Sequence, residues 1–320
     1  MKKRSVLAVS TALAMVAAMA VPVMAEEETS YKIGFSQCTL ASPFYTTMKD
    51  VAESYAEELG IDFTCVSADD DVVKQNNDVN DMIASGIDAL IINPINEEGI
   101  KPALEACEAA GIPVITVDRS VSEGATAEIG RDNKTMGHMV GEKLAELLGG
   151  EEATGKVLEV QGTSGDAVMM ARRDGFEEAM AEFAPNVEIV QSAYCDYTRS
   201  KAVVAVQDLL TSNEDIVAVY GHNDDMSLGA AQVLEEKGIE GVLVAGVDGL
   251  MEAVIAMSEG NYAVTTTNDP GSLLKVAVDT AITILDGGEY EEFVDAGSVL
   301  IDETNVADYV NEDLAFASVE

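Results

Sequence analysis

Acidic, basic, amide and aromatic side chains recur in this chain at one kind of place, the few residues that follow a short β-branched or apolar run. After GFSQ come Ser42, Phe44 and Tyr45; ALIIN ends at Asn93; PVITV leads directly into Asp118 and Arg119. In the second half, RRDGF carries Arg172, DYTRSK Tyr197, HNDDM Asn223 and Asp224, GVDG Asp248 and TTTND Asn268. A carboxylate accepts hydrogen bonds, a guanidinium donates a fork of them, and an amide does both. Such a mixture suits a neutral polyol, whose hydroxyls both give and take, better than an anion. The adjacent rings of Phe44 and Tyr45 either pack beneath a sheet or offer a face to the C–H side of a sugar.

Each of these residues also has a plainer reading. Ser42 can cap a helix whose first turn begins with Pro43. Asp118 and Arg119 can form a local surface ion pair of small worth. Asp224 reads as a helix cap. His222 has no second His or Cys beside it and reads as structural.

The elements that must position these groups alternate along the chain. YKIGFSQ, IDFTCV, ALIINP and IPVITVD read as strands, separated by helices from about Pro43, Val72 and Glu97. Gly60, Gly86 and Gly111 stand where those helices should end. A second series starts with a helix near Asn133 and runs through KVLEVQG, VEIVQSA, IVAVYGH and VLVAGVD, with helices from about Ala167, Thr198, Asp224 and Gly249. Two similar series predict two α/β domains with parallel sheets. The polar stretch TAEIGRDNKTMG is expected to cross between them near Arg131 and Asp132. A helix over Gly271 to Asp286 and weak strands near Phe293 and Val299 are too little for a third domain. They are expected to complete the two sheets, so the chain crosses more than once. In open parallel sheets ligands gather at the carboxyl ends of strands, where the polar residues above lie.

Composition narrows the function. With 58 acidic and 18 basic residues the formal charge is −40, which excludes phosphate-backbone binding by cation pairing. The apolar share of 48% is enough for real cores. Residues 1–25 have Lys2, Lys3 and Arg4, an apolar run from Val6 to Ala20, and V-M-A before Glu26, and they read as a cleavable signal peptide. No Cys stands at the cleavage point, so a lipid anchor is not expected. Cys38, Cys65, Cys107 and Cys195 are too scattered for a zinc signature. Export would permit a disulfide, and Cys38 and Cys65 lie near the ends of neighbouring predicted strands. No metal or cofactor is expected.

The strings GFSQ, SPFY, INP, PVITVDRS, VLEVQGTSG, RRDGF, DYTRSK, HNDDMSLGA and GVDG together resemble the periplasmic binding proteins of bacterial ABC sugar importers, in the branch that includes ribose and galactofuranose binders. The resemblance runs from Tyr31 to Asn268. It implies two Rossmann-like domains joined by a three-strand hinge, here residues 31–131 plus 269–297 and residues 132–268 plus 298–320. It also implies closure around one monosaccharide, delivery to a membrane permease, a monomer and a periplasmic or other extracytoplasmic location. Carried over position by position, the implied ligand contacts are Ser36, Ser42, Phe44, Tyr45, Asn93, Asp118, Arg119, Arg172, Tyr197, Asn223, Asp248 and Asn268. The chain departs from the ribose binders in a longer loop over Gln37 to Ser42. It also has Ser42 in place of Asn, Tyr197 in place of Phe and Asn268 in place of Gln, so ribose itself does not follow. FSQ, DYTRSK and HNDDM are nearer the galactofuranose type.

Other functions compete. A repressor effector domain shares the expected fold but would carry a helix-turn-helix where this chain has its signal-like segment. A glycoside-acting enzyme could use Asp118 and Asp248 as a carboxylate pair, but no nucleophile elbow, phosphate loop or metal cluster accompanies them. A binding protein for another polyol or a signalling furanone, feeding a chemoreceptor, fits the same residues. Mass spectrometry of exported protein should find Glu26 or a close neighbour as the first residue; intact Met1 would overturn the signal-peptide reading.

Overall fold

The computed structural model describes residues 31–318, so the expected signal peptide lies outside the described residues. The first series folds as β1 (Lys32–Gln37), α1 (Pro43–Leu59), β2 (Asp62–Ser67), α2 (Val72–Ser85), β3 (Ala89–Ile92), α3 (Glu97–Ala110), β4 (Val114–Val117) and β5 (Ala127–Gly130). The second folds as α4 (Asn133–Leu148), β6 (Gly155–Val160), α5 (Ala167–Phe183), β7 (Val187–Gln191), α6 (Arg199–Ser212), β8 (Ile216–Gly221), α7 (Asp224–Lys237), β9 (Leu243–Ala245), α8 (Met251–Ser258) and β10 (Val264–Thr266). The chain ends with α9 (Pro270–Leu285), β11 (Phe293–Asp295) and β12 (Leu300–Asp302).

These elements make two six-stranded sheets, ordered β11-β5-β4-β3-β1-β2 and β12-β10-β9-β8-β6-β7. All pairings are parallel except β10 with β12. Both sheets start from an inner strand, place the second strand on one side and the later ones on the other, which is doubly wound α/β topology. Ligand crevices in such sheets open where the order reverses, beyond the carboxyl ends of β1 and β3 and of β6 and β8. Helices cover both faces, so β3 and β4 are buried along their whole length and read as unbroken apolar runs, ALII and VITV.

Local chemistry explains the boundaries. Gly60, Gly86 and Gly111 close their helices in the left-handed conformation, as the sequence predicts. Asp71, Asn96, Asp132, Asp166, Asn223 and Asp269 each cap a helix start with a side-chain oxygen. β5 falls inside the polar stretch read as crossover only. Its four residues include Glu128 and Gly130, too few apolar positions for a strand pattern, and pairing with β4 and β11 supplies what the sequence lacks. α8 starts two residues later than expected, because Gly249 turns left-handed and Leu250 is held in a bridge to Phe316.

The chain passes between the sheets at residues 131–132, 267–269 and 296–299, with β11 completing the first sheet and β12 the second. All four cysteines are free. The Cys38–Cys65 disulfide is precluded by register: Cys65 pairs with Phe35, and Cys38 lies three residues farther along, about 10 Å at strand rise, beyond the reach of a disulfide.

Helices α4 and α5 cross almost backbone to backbone. A Cβ on Gly175 would stand 2.0 Å from the Lys134 carbonyl oxygen, and one on Gly137 2.2 Å from that of Arg172. This contact fixes the height of α5, which carries Arg172 one turn before Gly175. Gly175→Ala should therefore destabilise the protein by about 2 kcal/mol or more, as overpacking against rigid backbone does. A urea midpoint equal to wild type would show that the helices have room to separate.

Candidate functional site

A narrow cavity of about 10 Å³ lies between the two domains, lined by Ser42, Phe44, Tyr45, Asp118, Val168, Arg172, Tyr197, Asn223, Asp248 and Asn268. That is the space of about one water, so the two domains stand close together around these groups. The first domain contributes the start of α1 and the residue after β4. The second contributes α5, the loop before α6, the start of α7 and the residues after β9 and β10.

Three residues expected at the site stand just behind this lining. Ser36 is buried in β1 and accepts from the Gln75 amide at 3.3 Å. Asn93 donates to Asp118 Oδ2 at 3.1 Å. Arg119 makes no pair with Asp118. It donates to the Tyr45 hydroxyl at 2.7 Å, and its Nε lies 3.8 Å from Asp166 Oδ1 of the other domain. Its guanidinium also sits over both tyrosine rings, 5.6 Å from the centre of Tyr45 and 6.0 Å from that of Tyr197.

Arg172 is almost wholly buried in the second domain. Its Nη2 meets Asp248 Oδ1 at 3.0 Å, Nε donates to Asn133 Oδ1 at 2.9 Å, and Nη1 donates to the His222 carbonyl oxygen at 2.5 Å. Asp248 also accepts from the Asn268 amide at 2.9 Å. Burial pushes the Asp248 carboxyl up to about 6, with Arg172 pulling the other way. Burial likewise raises Asp118, opposed by Arg119 and Arg172. Both carboxylates sit on strained backbone, Asp118 at φ 66° and Asp248 at φ 120°, a conformation that concentrates at functional sites.

Several side chains do other work than expected. Ser42 occupies the N-cap position, but its hydroxyl makes no capping bond and is buried without a partner. Asn223, not Asp224, caps α7, its Oδ1 accepting from Met226 N at 2.9 Å. Asp224 instead ties together Leu250 N, the Tyr262 hydroxyl and the Thr265 hydroxyl. Burial is the largest influence on it, followed by the nearby Asp248, and they push its carboxyl up to about 8. His222 is structural: wholly buried, it shares a hydrogen bond with Glu159 at 3.0 Å and accepts from Gly162 N at 3.3 Å.

Sequence reasoning missed Val168 in the lining, and Asp166, which caps α5 and accepts from the Tyr197 hydroxyl at 2.6 Å. It also missed Phe316, which meets Phe44 edge to face with ring centres 5.9 Å apart. Asp166 was legible as a cap, since it precedes the AVMMARR run. Phe316 carries no such signal.

A family model described as the periplasmic binding protein domain matches residues 33–289. A ribose import binding protein of Bacillus subtilis is 33% identical over 267 residues, 83% of this chain and 85% of that protein. A galactofuranose-binding protein of Escherichia coli is 32% identical over 238 residues, 71% of this chain and 74% of its own. Among solved structures, an ABC transporter solute binding protein from Mycobacterium smegmatis with bound glycerol superposes with TM-score 0.87 at 48% identity, covering 91% of this chain and 100% of that one.

An aspartate raised on folding contributes stability that is complete below its unfolded value of about 3.9 and is lost as pH rises through its folded value. For Asp224 that window runs from about 4 to about 8. Stability should therefore fall with rising pH across it, and Asp224→Asn should flatten the fall, since the Tyr262 and Thr265 hydroxyls can reverse to accept. Urea unfolding at a series of pH values checks this. Parallel wild-type and Asp224→Asn profiles would mean that the carboxyl stays ionised throughout.

Proposed function

The chain belongs to the periplasmic binding protein family, and on that premise we propose that it captures one monosaccharide, a pentose or hexose, between its domains and delivers it to an ABC transporter permease. The observation that carries this reading is the interdomain cavity, which combines donors, acceptors and aromatic faces, with the buried Ser42 hydroxyl on it left unpaired. Two further unpaired buried atoms, Asn93 Oδ1 and Arg119 Nε, stand directly behind it. A buried polar group without a partner costs about 1–3 kcal/mol, so a ligand hydroxyl that reaches Ser42 recovers that cost there.

In this reading Asp118 and Asp248 accept from sugar hydroxyls, Arg172 and Asn268 donate, and Phe44, Tyr45 and Tyr197 cover the ring. Asn93 and Arg119 hold the first-domain groups in place. A sugar touching both domains stabilises the closed arrangement over an open one, with the three crossing segments as the hinge. The furanose ring form fits the likeness to the galactofuranose binder. The protein acts outside the cytoplasm after export, as a monomer, and returns its ligand chemically unchanged.

A thermal-shift panel of D-ribose, D-galactose, L-arabinose, xylitol and glycerol tests the capture. A true ligand at a hundred times its Kd should add about 2.7 kcal/mol of stability. Asp118→Ala and Asp248→Asn should each weaken that ligand at least tenfold by calorimetry, because the site needs both domains. Wild-type affinity in either variant would confine the site to the other domain, and a sugar recovered altered would make the protein an enzyme.

A further inference from the structure

Arg131 lies in the first crossing segment, is 8% exposed and hydrogen-bonds one residue of the cavity lining, Asn268. Its guanidinium nonetheless reaches all three crossings. Nε donates to the Gly297 carbonyl oxygen at 2.7 Å in the third. Nη1 donates to Asn268 Oδ1 at 2.9 Å and to the Asp269 carbonyl oxygen at 3.2 Å in the second, and Nη2 donates to Ser272 Oγ at 2.9 Å at the start of α9. Crossings two and three are also joined by main chain, with Thr267 N donating to the Val299 carbonyl oxygen at 2.9 Å. Among the described residues no carboxylate lies within ion-pair distance of this guanidinium. Its hydrogen bonds all go to neutral oxygens, with the charges of Asp269, Asp118, Asp248 and Asp295 acting on it from farther away.

From Arg131 a closed ring of hydrogen bonds runs to the cavity and back. Asn268 accepts from Arg131 and donates to Asp248, Asp248 pairs with Arg172, Arg172 donates to Asn133, and Asn133 donates to the Arg131 carbonyl oxygen at 3.3 Å. Asn268 and Asn133 are the two amide links of this ring, each with one polar atom toward the crossings and the other toward a charged side chain of the cavity.

We propose that Arg131 is a positioning residue for the cleft, a fork that clasps the three crossing segments in the closed arrangement and sets the orientation of Asp248 and Arg172 through Asn268 and Asn133. The proposal rests on the reading of the cleft as a sugar site. A planar fork with donors on three nitrogens can hold three segments at fixed angles, whereas a lysine is a single point charge. Without the fork the segments turn more freely, the closed-competent fraction falls, and the apparent affinity falls with it.

The test compares wild type, Arg131→Met, Arg131→Lys and Ser272→Ala by small-angle scattering and by calorimetry with D-ribose, L-arabinose and D-galactose as probes. Arg131→Met and Arg131→Lys should both enlarge the radius of gyration of the sugar-free protein. Both should weaken the bound probe about tenfold, as a fall of the competent fraction to about a tenth requires. Ser272→Ala, which removes one of the fork's bonds together with the hydroxyl's own bond to the Asp269 carbonyl oxygen, should move both readouts in the same direction by less, and it carries the test if the Arg131 variants do not fold. Scattering and affinity equal to wild type would overturn the proposal, as would full rescue by lysine or a loss of thermal stability alone. If wild type binds none of the probes, the proposed function fails, while the sugar-free scattering still decides the clasp.

Discussion

Three arginines, Arg119, Arg131 and Arg172, lose nearly all contact with water between the two domains, and the cost of burying a guanidinium governs how that interior is built. A buried cation is tolerated only when acceptors enclose it. Each arginine is therefore ringed by oxygens drawn from several elements: tyrosine hydroxyl and carbonyls for Arg119, amide, carbonyl and serine oxygens for Arg131, carboxylate, amide and carbonyl oxygens for Arg172. The strained backbone at Asp248 serves this requirement, since its carboxyl meets Arg172.

The two domains solve it differently. In the second, the cavity groups are held in a finished network, with Arg172, Asp248, Asn268 and Asn223 all bonded to protein. In the first, Ser42 Oγ, Asn93 Oδ1 and Arg119 Nε are left over. One wall is thus rigid before any ligand arrives, and the other keeps unspent hydrogen-bonding capacity. Gly162 contributes to the rigid wall by lacking a side chain, because a Cβ there would fall 2.4 Å from the Tyr197 ring.

Periodicity, glycine helix stops and polar residues at strand ends were enough to read most of the fold, and they brought together most of the cavity lining. What stayed hidden depended on distance along the chain. Arg131 was visible as the place where the chain crosses, but its partners lie 137 and 166 residues away, at Asn268 and Gly297, and nothing local announces them. Phe316 reaches Phe44 only because the last described residues return alongside Gly249 and Met251. β5 has a pattern too short to read, and pairing on both sides makes it a strand. Ser42 shows the subtler limit: the position of an N-cap can be read from S-P-F, but not whether the hydroxyl turns toward the helix or away from it.

The triple passage between sheets also sets the order in which this protein can be completed. The first sheet is the earlier of the two to be synthesised, yet α9, which packs on α1 through contacts such as Tyr55 with Asp279, and its edge strand β11 are encoded after the whole second series. Until residue 295 has been made, the first half has an open sheet edge at β5 and an uncovered helix α1. Such edges are sites for wrong pairing, and contacts this far apart in sequence form slowly. The amino-terminal half therefore cannot finish folding during its own synthesis, and its completion waits on the last fifth of the described chain.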